Sequence, residues 1–190
     1  MENAETQLQQ QIITWLTQDP MRMDALTLCM RTFAQLGIDD WLIAAGFVRN
    51  LVWDKLHGFK AHNLNDIDVI YYCPHDTSVA KDIHIERQLQ QQAALPFSVK
   101  NQARMHIRNH DAPYHSCLDA MRYWPEKQTA IGVKMMLIAP KQLNLQSAFS
   151  LNGLFNYTIT PNPLRSQALF DQRISSKGWL ERYPKLAIVT

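Results

Sequence analysis

Residues 44–72 read AAGFVRNLVWDKLHGFKAHNLNDIDVIYY, and the fold turns on how that stretch is divided. Its start is the tail of WLIAAG, residues 41–46, a short apolar run closed by a glycine, which reads as a buried strand. FVRNLVWDKLHG, residues 47–58, follows with Val48, Leu51, Val52 and Leu56 at helical spacing, and Gly58 ends it. IDVIYYC, residues 67–73, is rich in β-branched and aromatic side chains and reads as the next strand. Asp66 and Asp68 stand two residues apart where that strand begins, so the alternation of a strand puts both carboxylates on one face.

That pair needs a partner. Burying a carboxylate is costly without a positive group beside it, and two close carboxylates stay ionised together only when a cation joins them. Mg²⁺, with Mn²⁺ as its substitute, fits, because a hard divalent ion prefers oxygen ligands and often keeps water and phosphate oxygens. The plainer reading of NLND, residues 63–66, is a turn with solvated carboxylates. Asp68, flanked by Ile67 and Val69, is harder to read that way. Upstream, Gly46 stands where strand gives way to helix, so the backbone can approach a ligand there. The start of the following helix then offers free N–H groups to a phosphate. A phosphate site and a metal site joined by one helix make a site for a nucleoside triphosphate.

The flanking sequence sets the class. Leu8, Ile12, Trp15 and Leu16 predict a helix over 5–18, and Asp19-Pro20 caps a second over about 21–36, ended by Gly37. A polar helix is predicted over 78–93, a third strand at PFSVK (96–100), and a short helix over 116–123. TAIGVKMMLIAP (129–140) and residues 142–149 read as the fourth and fifth strands. NYTITPNPL reads as extended, and RSQALFDQRISSKGWL (165–180) as a final helix. Helices first, then helices and strands mixed, predict an α/β or α+β chain built on one mixed sheet of about five strands. The whole of 1–190 is expected to be one domain, with the N-terminal helices (5–36) packed on a core over 38–186.

Composition narrows the environment. The chain has 190 residues, 46% hydrophobic and 19% charged, with a net charge of +2. This mild basicity demands no polyanion and repels none. Cys29, Cys73 and Cys117 are scattered, with no C-x-x-C, which reads as reduced thiols in a cytoplasmic protein. The opening MENAETQLQQQ lacks the order of a signal peptide. The longest uncharged run, between Lys141 and Arg165, is too polar to span a membrane.

AGFVRNLVWDKLHG followed by LNDIDVIY resembles the signature of the DNA polymerase β-type nucleotidyltransferase superfamily: strand, glycine turn, helix, then Asp-x-Asp on the next strand. It is especially similar to the tRNA CCA-adding enzymes and poly(A) polymerases of bacteria. VKNQARMH, WPE with TAIGVKM, and KGWLERYP are similar to a small bacterial group known only as nucleotidyltransferase family proteins, over about residues 38–186. The resemblance implies a nucleotidyltransferase-like fold and transfer of a nucleoside monophosphate, with loss of pyrophosphate, to an acceptor hydroxyl. In it Gly46 forms the phosphate-side turn, and Asp66 and Asp68 are the catalytic, metal-holding carboxylates. The Phe47 N–H and the Arg49 guanidinium face phosphate, although Arg49 has Asp54 and the Asp-x-Asp pair as alternative partners.

Two positions depart from the family pattern. Phe47 replaces the usual Gly or Ser, a bulk expected to narrow the phosphate pocket. The third carboxylate, which helps activate the attacking hydroxyl, has no counterpart in FSVKNQARMH (97–106); Lys100, Asn101 and Gln102 stand there, leaving Glu126 as a substitute to be placed. The missing acid makes a catalytically degenerate nucleotide-binding protein the alternative function. Asn101, Arg104 and His106 suit either substrate contact or a polar network holding the loop. His106, His110 and His115 lie near one another in sequence, but no Glu or Cys completes a zinc set. Trp124 and Trp179 read as packing residues. RNA enters as a partner only through the CCA-adding similarity.

Overall fold

Asp19 and Pro20 set the first helix boundary as the sequence predicts. The Asp19 side chain accepts the Arg22 N–H, and Pro20, which has no N–H to lose, starts the helix. The computed structural model describes residues 4–60, 64–138 and 142–189. In it α1 (Ala4–Thr17) and α2 (Pro20–Gln35) precede β1 (Trp41–Ala44), α3 (Gly46–His57) and β2 (Ile67–Tyr71). Next come α4 (Val79–Gln92), β3 (Phe97–Asn101), α5 (Gln102–Asn109) and α6 (Cys117–Met121). A 3₁₀ turn (Lys127–Thr129) leads into β4 (Ile131–Met135) and β5 (Leu143–Ser147). The chain ends with α7 (Asn152–Phe155), β6 (Thr158–Ile159), α8 (Gln167–Lys177), α9 (Trp179–Arg182) and β7 (Ala187–Ile188).

The predicted mixed α+β architecture is present. The main sheet has five strands in the order β3-β2-β1-β4-β5; only the β2–β3 pair is parallel. Side-chain alternation divides it into two faces. Ile43, Val69, Tyr71, Val99 and Val133 enter the main core, which α2, α3 and α4 cover and to which α1 adds Ile12 and Leu16. Leu42, Ala44 and Ile70 enter a smaller core with Cys117 and Met121 of α6. Asp68 shares this second face with Ile70. Because β1 and β2 are antiparallel, with Ile43 opposite Val69, the end of β1 and the start of β2 meet at one end of the sheet. That meeting places the turn into α3 beside Asp68.

QARMHIRN (102–109) is the helix α5, which Asn101, the last residue of β3, caps by accepting the Ala103 N–H. Three segments differ from expectation. The single helix expected over 165–180 breaks at Gly178, whose φ of 60° ends α8 and starts α9. NYTITPNPL is a strand only at β6, which pairs in parallel with β7. The fourth strand stops at Met135, and residues 139–140 of the predicted run lie outside the described residues. All three cysteines are free thiols, and burial pushes the Cys29 and Cys117 thiols up. Among the described residues no helix is long and apolar enough to cross a membrane.

Gly132 is where β4 comes closest to β1. A Cβ there would sit 3.0 Å from the Leu42 Cβ, 3.2 Å from the Ala44 Cβ and 3.3 Å from the Ile43 carbonyl. Gly132→Ala is therefore expected to destabilise the chain by about 1–3 kcal/mol, read as a lower urea midpoint; an unchanged midpoint would refute this close approach.

Candidate active site

The turn between β1 and α3 is made by Ala45, not by the glycine. Ala45 has φ 54° and ψ −120°, a conformation costly for a side chain to adopt. It is held there by its N–H to the Ile131 carbonyl (2.9 Å) and by its own carbonyl, which accepts the Val48 and Arg49 N–H groups. Gly46 is instead the first residue of α3, and what matters is its lack of a side chain. A Cβ would come within 3.1 Å of the Asn50 Nδ2. Ala45 has no side chain that could cap α3, and among the described residues no side chain takes the leading N–H groups of Gly46 and Phe47, which are open to a ligand.

Phe47 does not narrow the site. Its ring is 1% exposed within the main core, beside the Arg22 guanidinium (5.5 Å), while its carbonyl accepts the Arg22 Nε–H (2.9 Å). The first turn of the helix points that side chain inward and leaves only backbone at the site.

Gly46, Arg49, Asp66 and Asp68 line one cavity of about 330 Å³. Asp68 is half-buried. Burial pushes its carboxyl above the ordinary range, and neighbouring Asp66 pushes it further, against the pull of Arg49, Lys177 and Arg173. Arg49 is 6% exposed. It donates to the Thr129 Oγ1 (2.7 Å) and the Asn50 Oδ1 (2.9 Å), and lies over the rings of Trp179 (4.4 Å) and Trp53 (5.0 Å). Its partners are thus not the carboxylates the sequence offered. Burial lowers its pKa to about 10, partly offset by the charge of Glu126, so it is a cation at neutral pH.

The same cavity holds residues that pattern reading missed. Arg173 and Lys177 of α8, Trp179 and Arg182 of α9, and Tyr183 all face it, as do Asp54 and Thr129. Asp54 accepts the Tyr183 hydroxyl (2.9 Å) and stands 3.7 Å from Arg182. The available signals were the i,i+4 spacing of Arg173 and Lys177 and the KGWLERYP segment, matched above only as a family likeness.

Asn101 and Arg104 do not join the site. Asn101 is fully engaged: its Oδ1 accepts the Cys73 and Ala103 N–H groups, and its Nδ2 donates to the Cys73 and Asp76 carbonyls. Arg104 pairs with Asp82, which also takes the Tyr71 hydroxyl. Both belong to a polar network, and neither lines the cavity. Glu126, the candidate third acid, is fully buried in an ion pair with Arg173 and does not line the cavity. On β3 the residue beside Asp68 is Ser98. Among the described residues no three or more His, Cys, Asp or Glu are grouped to hold a metal ion. His110 ends α5 and His106 packs edge-on against Tyr114.

Residues 31–188 match a family model described as Nucleotidyltransferase. A protein whose NMR structure is described as revealing a CCA-adding enzyme head domain superposes with a TM-score of 0.80 at 30% identity, over 95% of each chain. A CCA-adding enzyme in complex with CTP superposes at 0.59 with 14% identity, over 100% of this chain and 44% of the other. The Thermotoga maritima CCA-adding enzyme complexed with tRNA gives 0.59 and 15%, over 93% of this chain and 42% of the other. With these last two the chain shares the fold, and it spans less than half of their length. No curated protein matches it.

The Asp68 carboxyl gives a pH signature. Its raised pKa means the folded chain binds that proton more tightly than the unfolded chain does. The resulting stabilisation is full below the ordinary carboxylate value and is lost as pH rises through the folded value. Asp66→Asn removes the like charge, so the Asp68 midpoint, followed by carboxyl-carbon NMR, is expected to fall toward but not reach the ordinary range, since burial remains. A midpoint that stays put would exclude coupling between the two.

Proposed function

This chain belongs to the nucleotidyltransferase family, and on that premise we propose that it transfers a nucleoside monophosphate from a nucleoside triphosphate to an acceptor hydroxyl, using Mg²⁺ or Mn²⁺. One observation carries the proposal: the carboxylates of Asp66 and Asp68 share a cavity with the uncapped start of α3. A divalent ion suits this donor set, because Asp66 and burial both disfavour ionised Asp68 and a bound cation relieves both. Two carboxylates leave the remaining positions of a hard ion to phosphate oxygens and water. Bound there, the ion would polarise a phosphoryl oxygen.

The chain's own groups do the rest. The Gly46 and Phe47 N–H groups orient a phosphate, and the α3 dipole favours its charge. Arg49, fixed by Thr129, Asn50 and two indole rings, supplies positive charge without moving. Gly46, without a side chain, presents only backbone to the cavity. Relatives described in complex with CTP and tRNA support a nucleotide substrate and make RNA the first acceptor to try. A second reading, a nucleotide-binding protein without turnover, is favoured by Ser98 standing beside Asp68 with Glu126 outside the cavity.

The test is pyrophosphate release from each of the four nucleoside triphosphates with Mg²⁺, across acceptors that include tRNA. Wild-type protein is expected to release it, and Asp68→Asn to lower the rate about a thousandfold without lowering the unfolding midpoint. Triphosphate binding with no release across all acceptors selects the second reading. Absence of Mg²⁺-dependent triphosphate binding sinks both.

A further inference from the structure

Among the described residues five cationic side chains line the cavity: Arg22, Arg49, Arg173, Lys177 and Arg182. Four are already engaged by the protein. Arg22 is held by Asp19 and the Phe47 carbonyl. Arg49 is held by Thr129 and Asn50, and Arg173 by Glu126. Arg182 stands 3.7 Å from Asp54. Lys177 is different: it is exposed and has no hydrogen-bond or ion-pair acceptor among the described residues. Yet it is placed rather than adrift. It ends α8, Gly178 turns the chain in a left-handed conformation, and the next residue, Trp179, is pinned over the Arg49 guanidinium at 4.4 Å. It lines the same cavity as Asp68.

Resting on the nucleotidyl-transfer reading, we infer that Lys177 is a catalytic residue that holds the β- and γ-phosphates and carries the charge of the departing pyrophosphate. In the transfer, the acceptor oxygen forms a bond to the α-phosphorus. The bond from that phosphorus to the α–β bridging oxygen breaks, and its electron pair leaves with pyrophosphate. The acceptor proton passes to water, and Lys177 keeps its own. The arginines, buried (Arg22, Arg49) or paired with a carboxylate (Arg173, Arg182), fix the electrostatics of the cavity but are held by the protein and cannot follow a group that leaves. A lysine on a flexible stem, exposed and without a protein counter-ion, can do so. It also supplies the contact that separates a triphosphate from a monophosphate.

Calorimetric titration with Mg²⁺ and, in turn, pyrophosphate, a non-hydrolysable triphosphate and a nucleoside monophosphate tests this on wild type, Lys177→Ala and Lys177→Arg. Loss of one charge-assisted contact is expected to weaken pyrophosphate and triphosphate binding about ten- to a hundredfold in Lys177→Ala. Monophosphate binding should change less than about twofold, and Lys177→Arg should recover most of the loss. The exposed position makes an unchanged unfolding midpoint the matching control. Lys177→Ala binding pyrophosphate as wild type does would overturn the inference while leaving nucleotidyl transfer standing. Lys177-dependent pyrophosphate binding by a wild-type protein that binds no triphosphate would instead remove nucleotidyl transfer and with it the role in catalysis.

Discussion

The buried guanidinium of Arg49 is the interaction on which the rest of the site depends. Taking such a charge out of water costs several kcal/mol, roughly, unless it is well compensated. Here the compensation is spread over the fold. The 3₁₀ turn before β4 supplies Thr129, α3 supplies Asn50 and Trp53, and α9 supplies Trp179. Each desolvated cation–ring contact contributes up to about 2 kcal/mol. The same contacts tie together parts of the chain that are far apart in sequence, from residue 49 to residue 179. The fold thus places a fixed cation at the sheet end where two carboxylates meet.

Around that centre the charges are arranged in depth. Glu126, which does not line the cavity, pairs with Arg173, and its charge also favours the cation at Arg49. The carboxylates of Asp66 and Asp68 have no close ion pair among the described residues, and burial, with the charge of Asp66, makes Asp68 resist ionisation. The backbone bears a cost too. Ala45 is held in a conformation that costs about 1–3 kcal/mol, and it aims the start of α3 into the cavity. Strain and unbalanced charge thus gather at the end of the sheet where the metal and phosphate site is proposed.

The sequence made the local features legible and the long-range ones not. Strand, helix and strand over 41–73 follow from apolar spacing, and the shared face of Asp66 and Asp68 follows from alternation. The glycine misled in detail: a positive φ is most often a glycine, and here Ala45 takes it because its N–H bonds to the Ile131 carbonyl and its own carbonyl accepts the Val48 and Arg49 N–H groups of α3. Phe47 looked obstructive because its rotation about the helix axis was unknown. Asn101 carries donor chemistry that looks the same whether it meets a substrate or the Cys73 backbone. Nothing local to Arg173, Lys177 and Arg182 says that they line one cavity with Gly46 and Asp68, more than a hundred residues away.

Paramagnetic relaxation by Mn²⁺ tests the central claim most directly. With a non-hydrolysable triphosphate present, Mn²⁺ is expected to broaden the phosphorus resonances of the nucleotide, the side-chain carboxyl signals of Asp66 and Asp68, and the Gly46 amide together. Asp68→Asn should abolish all of them at the same ion concentration. Broadening of the nucleotide without the two carboxylates, or broadening that survives Asp68→Asn, would contradict a metal–triphosphate site at this end of the sheet.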